Sequence, residues 1–216
     1  MVRLLMVAAA VAALSGCSQT GNFVMATGHT SPDSAQPSLF SGASSSMNVA
    51  GYAFAPPAFY EFCRRDRRLC DSQSGAKLVE LTPSRDRELR AINSAVNHKI
   101  RQREDSDISG KEDDWRLPSN REGDCEDIAI LKKKELMERG WPASALLITV
   151  ARQPFNEEGH TVLTIRTSKG DLILDNLTNS VKGWSATPYR YFARQSQKAT
   201  GEWERISVIR QAILTP

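Results

Sequence analysis

An acid flanks a cysteine on either side in Gly123-Asp124-Cys125-Glu126-Asp127, just ahead of a helical run from Ile128 to Arg139 that Gly140 stops. The first turn of a helix exposes unpaired backbone N–H groups and the positive end of the macrodipole. A thiol placed there is biased toward thiolate, its nucleophilic form. Asp124 suits the N-cap, since its side chain can accept from free N–H groups one turn on. The carboxylates pull the other way, because their field opposes ionisation of the sulfur. Two readings stay open. Either the acids cap the helix around a buried structural cysteine, or a cation sits among them.

A cysteine nucleophile needs a histidine to take its proton and return it, and a third group to orient the imidazole. The chain has three histidines. His29 lies in a Ser- and Gly-rich stretch, and His98 falls off the apolar stripe of a helix. His160 opens a strand after Gly159, and Asp175 ends the next strand. The candidates are therefore Cys125, His160 and Asp175. One geometric objection stands. If Lys169-Gly170 is a two-residue turn, Asp175 lies opposite Thr164, roughly 13 Å from His160 along the strand. A wider loop or a bulge is then needed to close the gap.

The elements that must position these groups follow a separate N-terminal segment. Arg3 precedes an apolar run from Leu4 to Leu14, too short to span a bilayer and shaped like a secretory signal. Its end, Leu14-Ser15-Gly16-Cys17, resembles the bacterial lipobox, in which the cysteine becomes the lipidated first residue. Ser18 rather than aspartate after it implies, by the same resemblance, a periplasmic protein anchored at the outer membrane. Export changes the cysteine arithmetic. With Cys17 lipidated, Cys63 and Cys70 form a pair closing a short loop, expected to contribute roughly 2–3 kcal/mol, and Cys125 is left as the odd thiol. We expect residues 1–17 to be a lipoprotein signal peptide, 18–53 a flexible tether poor in large apolar groups, and 54–216 the folded domain.

Within the domain, Phe59, Tyr60 and Phe62 are expected in the core, and Lys77 to Leu81 as a short strand. Thr82-Pro83 opens a helix whose buried stripe is Leu89, Ile92, Val96 and Ile100. Asp105 to Lys111 reads as a polar loop. Strands are expected at Leu146 to Val150, Thr161 to Thr167, Leu172 to Leu174 and Trp203 to Ile209, with a short helix from Thr187-Pro188 to Gln195. The fold class is α+β. The net charge of +3 gives no support to nucleic-acid binding, and the arginines of 64–68 read as a solvated turn.

The order cysteine on a helix start, histidine at a strand start, acid at the next strand's end is that of papain-like and transglutaminase-like enzymes. More specifically, Asp114-Trp115-x-x-Pro118, Gly123 to Asp127, Gly159 to Leu163, Leu174 to Leu177 and Arg194-Gln195-Ser196 resemble the bacterial transglutaminase-like cysteine peptidase family. The resemblance spans roughly Phe54 to Ile209. It implies a catalytic helix packed on an antiparallel sheet and a triad of Cys125, His160 and Asp175. In LapG-type members, periplasmic proteases that release surface adhesins, the acids beside the cysteine bind calcium, which implies Asp124 and Glu126 as ligands here. No organic cofactor is implied. The expected partners are a protein substrate and, through the lipid, a membrane. The lipobox and tether depart from the LapG type and leave the substrate open. Transamidation or amidase chemistry through the same acyl-enzyme, or a non-catalytic lipoprotein binding a partner in the cleft, are the other readings.

Overall fold

The computed structural model describes residues 46–207. The signal peptide, Cys17, His29 and most of the tether lie outside the described residues. Among the described residues the first element is strand β1 (Val49–Ala53), followed by the short helices α1 (Pro57–Arg65) and α2 (Arg67–Cys70) and the long helix α3 (Pro83–Lys99). Strand β2 (Arg101–Gln102), helix α4 (Asp105–Ile108) and strand β3 (Glu122–Gly123) lead to helix α5 (Cys125–Glu138). Strands β4 (Leu146–Arg152), β5 (Gly159–Thr167), β6 (Gly170–Leu174), β7 (Lys182–Gly183), β8 (Arg190–Gln195) and β9 (Trp203–Ile206) complete it. Seven strands form one antiparallel sheet in the order β1-β9-β8-β4-β5-β6-β7. The class is α+β, with α5 packed against β5 and against α3.

Local signals account for both long helices. Thr82 Oγ1 accepts from Arg85 N and Pro83 occupies the first turn of α3. Leu89, Ile92, Val96 and Ile100 are all buried. Their spacing puts them on one face, and they join a core built with Phe59, Phe62, Trp115, Ile128, Leu163 and Trp203. Phe59 stacks edge-on to both Trp115 and Trp203. The opposite face of the sheet is covered by a smaller cluster of Met47, Ala151, Val162, Ile173, Tyr191 and Ile206.

The Cys63–Cys70 disulfide is formed, and the short segment it closes is helical, with Cys63 on α1 and Cys70 on α2. Its surroundings explain the Arg194-Gln195-Ser196 motif as structural. Gln195 Nε2 donates to the Cys70 carbonyl at 3.0 Å, and its Oε1 accepts from Ile148 N at 3.0 Å and Lys133 Nζ at 3.2 Å. Ser72 Oγ donates to the Ser196 carbonyl, and Arg194 Nη1 bonds Asp171 Oδ2 at 2.9 Å. These bonds pair buried polar groups where the disulfide segment meets β4 and β8, while Arg194 Nε has no partner among the described residues.

Several expectations give way to tertiary structure. Residues 49–53, assigned by composition to the tether, form an edge strand on β9; it is held by backbone pairing rather than side-chain burial, which composition does not register. Tyr60 is half exposed while Phe59 and Phe62 are buried, because helical spacing turns it outward. Lys77 to Leu81 makes only an isolated bridge, Val79 to Thr167. Asp105 to Ile108 is a helical turn. The stretch from Thr187-Pro188 to Gln195 ends as β8, not a helix. Thr187 Oγ1 is used by the Trp184 carbonyl and Tyr191 OH instead of capping, and the strand fills the slot between β4 and β9.

Replacing both Cys63 and Cys70 by serine should lower unfolding free energy by about 2–3 kcal/mol in denaturant titration, with the alkylation of Cys125 left unchanged.

Candidate active site

Cys125 is delivered by a turn and a close contact. Asn120 and Arg121 both have positive φ, 51° and 62°, between the reciprocal backbone bonds of Ser119 and Glu122. That is the geometry of a tight hairpin turn, and two adjacent non-glycine residues in the left-handed region carry strain. Gly123 then passes so near Asp127 that an added Cβ would lie 2.8 Å from the Asp127 Cβ and 3.3 Å from that of Pro118. Asp124 caps α5, its Oδ1 accepting from Asp127 N at 3.5 Å, and Cys125 is the first helical residue.

Cys125 is half-buried. Its sulfur accepts from Thr161 N at 3.3 Å and its S–H donates to Glu126 Oε2 at 3.1 Å. Thr161 follows His160, so the same strand that carries the imidazole touches the thiol. His160 Nε2 meets Asp175 Oδ1 at 2.9 Å, both residues being buried. The objection raised by the turn is resolved by register. The turn is Ser168-Lys169, so Thr167 pairs with Gly170 and Leu163 with Leu174. Continuing that pairing sets Asp175 opposite Val162, diagonal to His160 and within side-chain reach. Gly170, at φ +102°, supplies the backbone the turn requires.

Asp175 is held from three sides. Beside His160, Leu177 N donates to Oδ1 at 3.0 Å and Tyr189 OH to Oδ2 at 2.6 Å. Burial opposes its ionisation, but the bonds from His160, Tyr189 and Leu177 outweigh this and hold the carboxyl below its ordinary range. Tyr189 also packs its ring 4.9 Å from that of His160. Cys125 and His160 open on one cleft of about 490 Å³, shared with Gln102, Glu112, Asp113 and Trp115. His98 is exposed on α3, away from this cleft.

The acids are more numerous than the sequence suggested. Oxygens of Asp105, Asp124 and Glu126 lie within 4.8 Å of one another, and all three residues are buried. Asp105 Oδ1 has no hydrogen bond, and Arg116 Nη2 is 3.6 Å from it. Arg116 is shared with Asp114 and Asp127. Burial and then Asp124 push Glu126 up to about 9; burial and then Asp105 push Asp124 up to about 6; burial raises Asp127 to about 8. Burial, followed by the charge and hydrogen bond of Glu126, also pushes the Cys125 thiol well above its ordinary value. The donor set is made of hard oxygens, crowded and short of positive charge, and this suits a calcium-sized divalent cation far better than zinc.

Sequence reasoning missed Asp105 as a member of this cluster and Tyr189 as an anchor of Asp175. Asp105 is 19 residues from Asp124 in a stretch that reads as polar loop, and no local signal joins them. The parallel pairing of Gln102 with Gly123 does so in space.

Among solved structures, the chain is similar to LapG of Legionella pneumophila. The calcium-bound form is 23% identical with a TM-score of 0.48, covering 69% of this chain and 86% of that one. The EGTA-treated form is 23% identical with a TM-score of 0.47, covering 73% and 88%, and a further LapG structure is 27% identical with a TM-score of 0.45, covering 66% and 76%. No curated protein sequence matches the chain. The model for bacterial transglutaminase-like cysteine proteinases (BTLCP) matches residues 49–211, and the chain belongs to that family of cysteine peptidases.

Proposed function

We propose that this peptidase is an exported, lipid-anchored endopeptidase in which Cys125, His160 and Asp175 form the triad. The observation that carries the reading is the buried 2.9 Å bond from His160 Nε2 to Asp175, with the Cys125 sulfur in the same cleft. With Nε2 committed to Asp175, Nδ1 is the ring nitrogen left for the thiol. His160 takes the proton from sulfur as the C–S bond forms at the scissile carbonyl. It passes that proton to the departing amine as the C–N bond breaks. Water then attacks the acyl-enzyme, giving a proton to His160 that returns to sulfur as the C–S bond breaks. The substrate is a protein reached from the periplasmic face of a membrane, a surface adhesin being the candidate that the family resemblance suggests. Cys17 is the lipidated residue, the reading that the Leu-Ser-Gly-Cys ending supports.

Calcium fits the acidic cluster, with Asp105, Asp124 and Glu126 as its ligands. Bound there, it would offset the carboxylate field and leave the helix macrodipole to favour the thiolate. Without it, the sulfur keeps its proton against Glu126.

The test of activity is mass spectrometry of exported proteins for new chain termini. Cys125→Ala should abolish them. Asp175→Asn should reduce their rate of appearance by about 10²–10⁴-fold, through loss of the correct imidazole tautomer. Termini that persist in Cys125→Ala would refute the peptidase reading.

Metal dependence has its own signature. Asp124, Asp127 and Glu126 have folded pKa values of about 6, 8 and 9, above those of an unfolded chain. The folded state therefore binds more protons, so their stabilising contribution is full below about pH 4 and lost as pH rises toward about 9. In EGTA the melting temperature should fall between pH 5 and pH 8, and calcium should restore it at pH 8. Equal melting temperatures at pH 8 with and without calcium would show that the acids serve as caps only.

Anchoring is tested by fractionation. Cys17→Ser should leave the precursor unprocessed or free the protein into the soluble fraction, whereas a soluble wild-type protein starting elsewhere than Cys17 would exclude lipidation.

A further inference from the structure

Three residues of α3 reach across to the segment that follows β6. Arg90, Asn93 and Asn97 are three and four residues apart, so they lie on one face of the helix. Each donates from its side chain to a main-chain carbonyl. Arg90 Nη1 bonds that of Val181 at 3.3 Å, Asn93 Nδ2 that of Thr178 at 2.9 Å, and Asn97 Nδ2 that of Asp175 at 2.9 Å. Asn97 Nδ2 also lies 3.1 Å from the Thr178 carbonyl and 3.0 Å from Asn179 Oδ1. Asn93 is fully buried beside the apolar stripe of α3, and Asn97 is half-buried. Leucine at either place would pack without needing a partner, so the amides are explained by the carbonyls they meet.

Asn97 acts where the triad's acid leaves the sheet. Leu174 is the last residue of β6 paired with β5, and Asp175 is the first beyond that ladder. The Asp175 side chain is committed to His160, Tyr189 and Leu177 N. Its carbonyl is held from the helix side by Asn97. An aspartate side chain is short, so fixing its main chain fixes where its oxygens meet His160. Three oxygens around one amide nitrogen also settle which end of the Asn97 amide faces the loop, since an oxygen there would be repelled by all of them. Asn97 does not line the cleft that holds Cys125 and His160.

We propose that Asn97 is a positioning residue of the peptidase, whose side-chain amide fixes the main chain at Asp175 and thereby the orientation of the His160 imidazole. The inference rests on the triad reading above. A small displacement of the acid turns the imidazole away from sulfur, and a misplacement of that kind costs rate without weakening substrate binding.

The test compares Asn97→Ala with Asn93→Ala, which breaks the neighbouring bond to Thr178 but none to Asp175. With calcium present, the rate at which new termini appear in exported proteins should fall about 10- to 100-fold in Asn97→Ala. On a peptide spanning one such terminus, the loss should lie in kcat with KM unchanged. NMR of protein carrying labelled histidine gives a reading that needs no substrate. The Nε2 proton of His160, held against Asp175, should move upfield in Asn97→Ala and stay in place in Asn93→Ala. An unmoved signal or an unchanged rate would overturn the role of Asn97. Equal losses in the two variants would overturn it too, since they would mark general destabilisation. Adding Asn97→Ala to Asp175→Asn should cost no further rate, because both act through one group, and a full second loss would also count against the proposal. The unaltered protein supplies a check that no variant's folding affects. There the side-chain amide protons of Asn97 should exchange with water more slowly than those of exposed Asn156, and equal rates would overturn the proposal. The two readings fail separately. Termini that persist in Cys125→Ala remove the peptidase reading, whereas an unmoved imidazole signal removes only the part assigned to Asn97.

Discussion

The register between β5 and β6 is the constraint on which the site depends. Two residues, Ser168 and Lys169, turn the chain, and Gly170 takes the positive φ that the turn needs. Thr167 stabilises the reversal, donating to the Gly170 carbonyl while accepting from Lys169 N. Placing the turn one residue later would move Asp175 from opposite Val162 to opposite Thr164. Its face of the sheet would be unchanged, but two residues of strand would separate it further from His160. The hydrogen bond that orients the imidazole is thus decided at the far end of the hairpin.

The second organising tension lies at the start of α5. A helix N-terminus favours a thiolate, yet Asp105, Asp124 and Glu126 crowd the same few ångströms. Without a cation the acids win: burial and Glu126 keep the thiol protonated, and the carboxyls themselves are driven toward their neutral forms. Arg116 relieves part of the charge on the Asp105, Asp114 and Asp127 side. The local structure therefore sets the thiol of Cys125 beside a crowded group of buried carboxylate oxygens.

The scaffold behind these groups is tied by buried polar contacts as much as by apolar packing. Gln195 and Lys133 link the disulfide helices to β4, β8 and α5. Asp171 joins Met47 N to Arg194, bringing the first described residues onto the sheet. Such contacts cost little only when every partner is in place, which makes this part of the fold intolerant of single replacements.

Residue types and local chemistry were legible in the sequence. Cys125 at a capped helix start, His160 at a strand start, the Thr82-Pro83 entry to α3 and its buried stripe all follow from signals within a few residues of one another. The pairing of Cys63 with Cys70 follows from a cysteine count. Features that depend on distant segments were not legible. Backbone pairing to β9 made residues 49–53 a strand, and neighbours on both sides made residues 190–195 one, against a helix-opening Thr-Pro. Only the tertiary structure set Asp175 against His160 and brought Asp105 to Asp124 and Glu126. The reason is physical: capping and periodicity act within a turn or two of chain, whereas register and charge clustering depend on which strands and loops become neighbours in space.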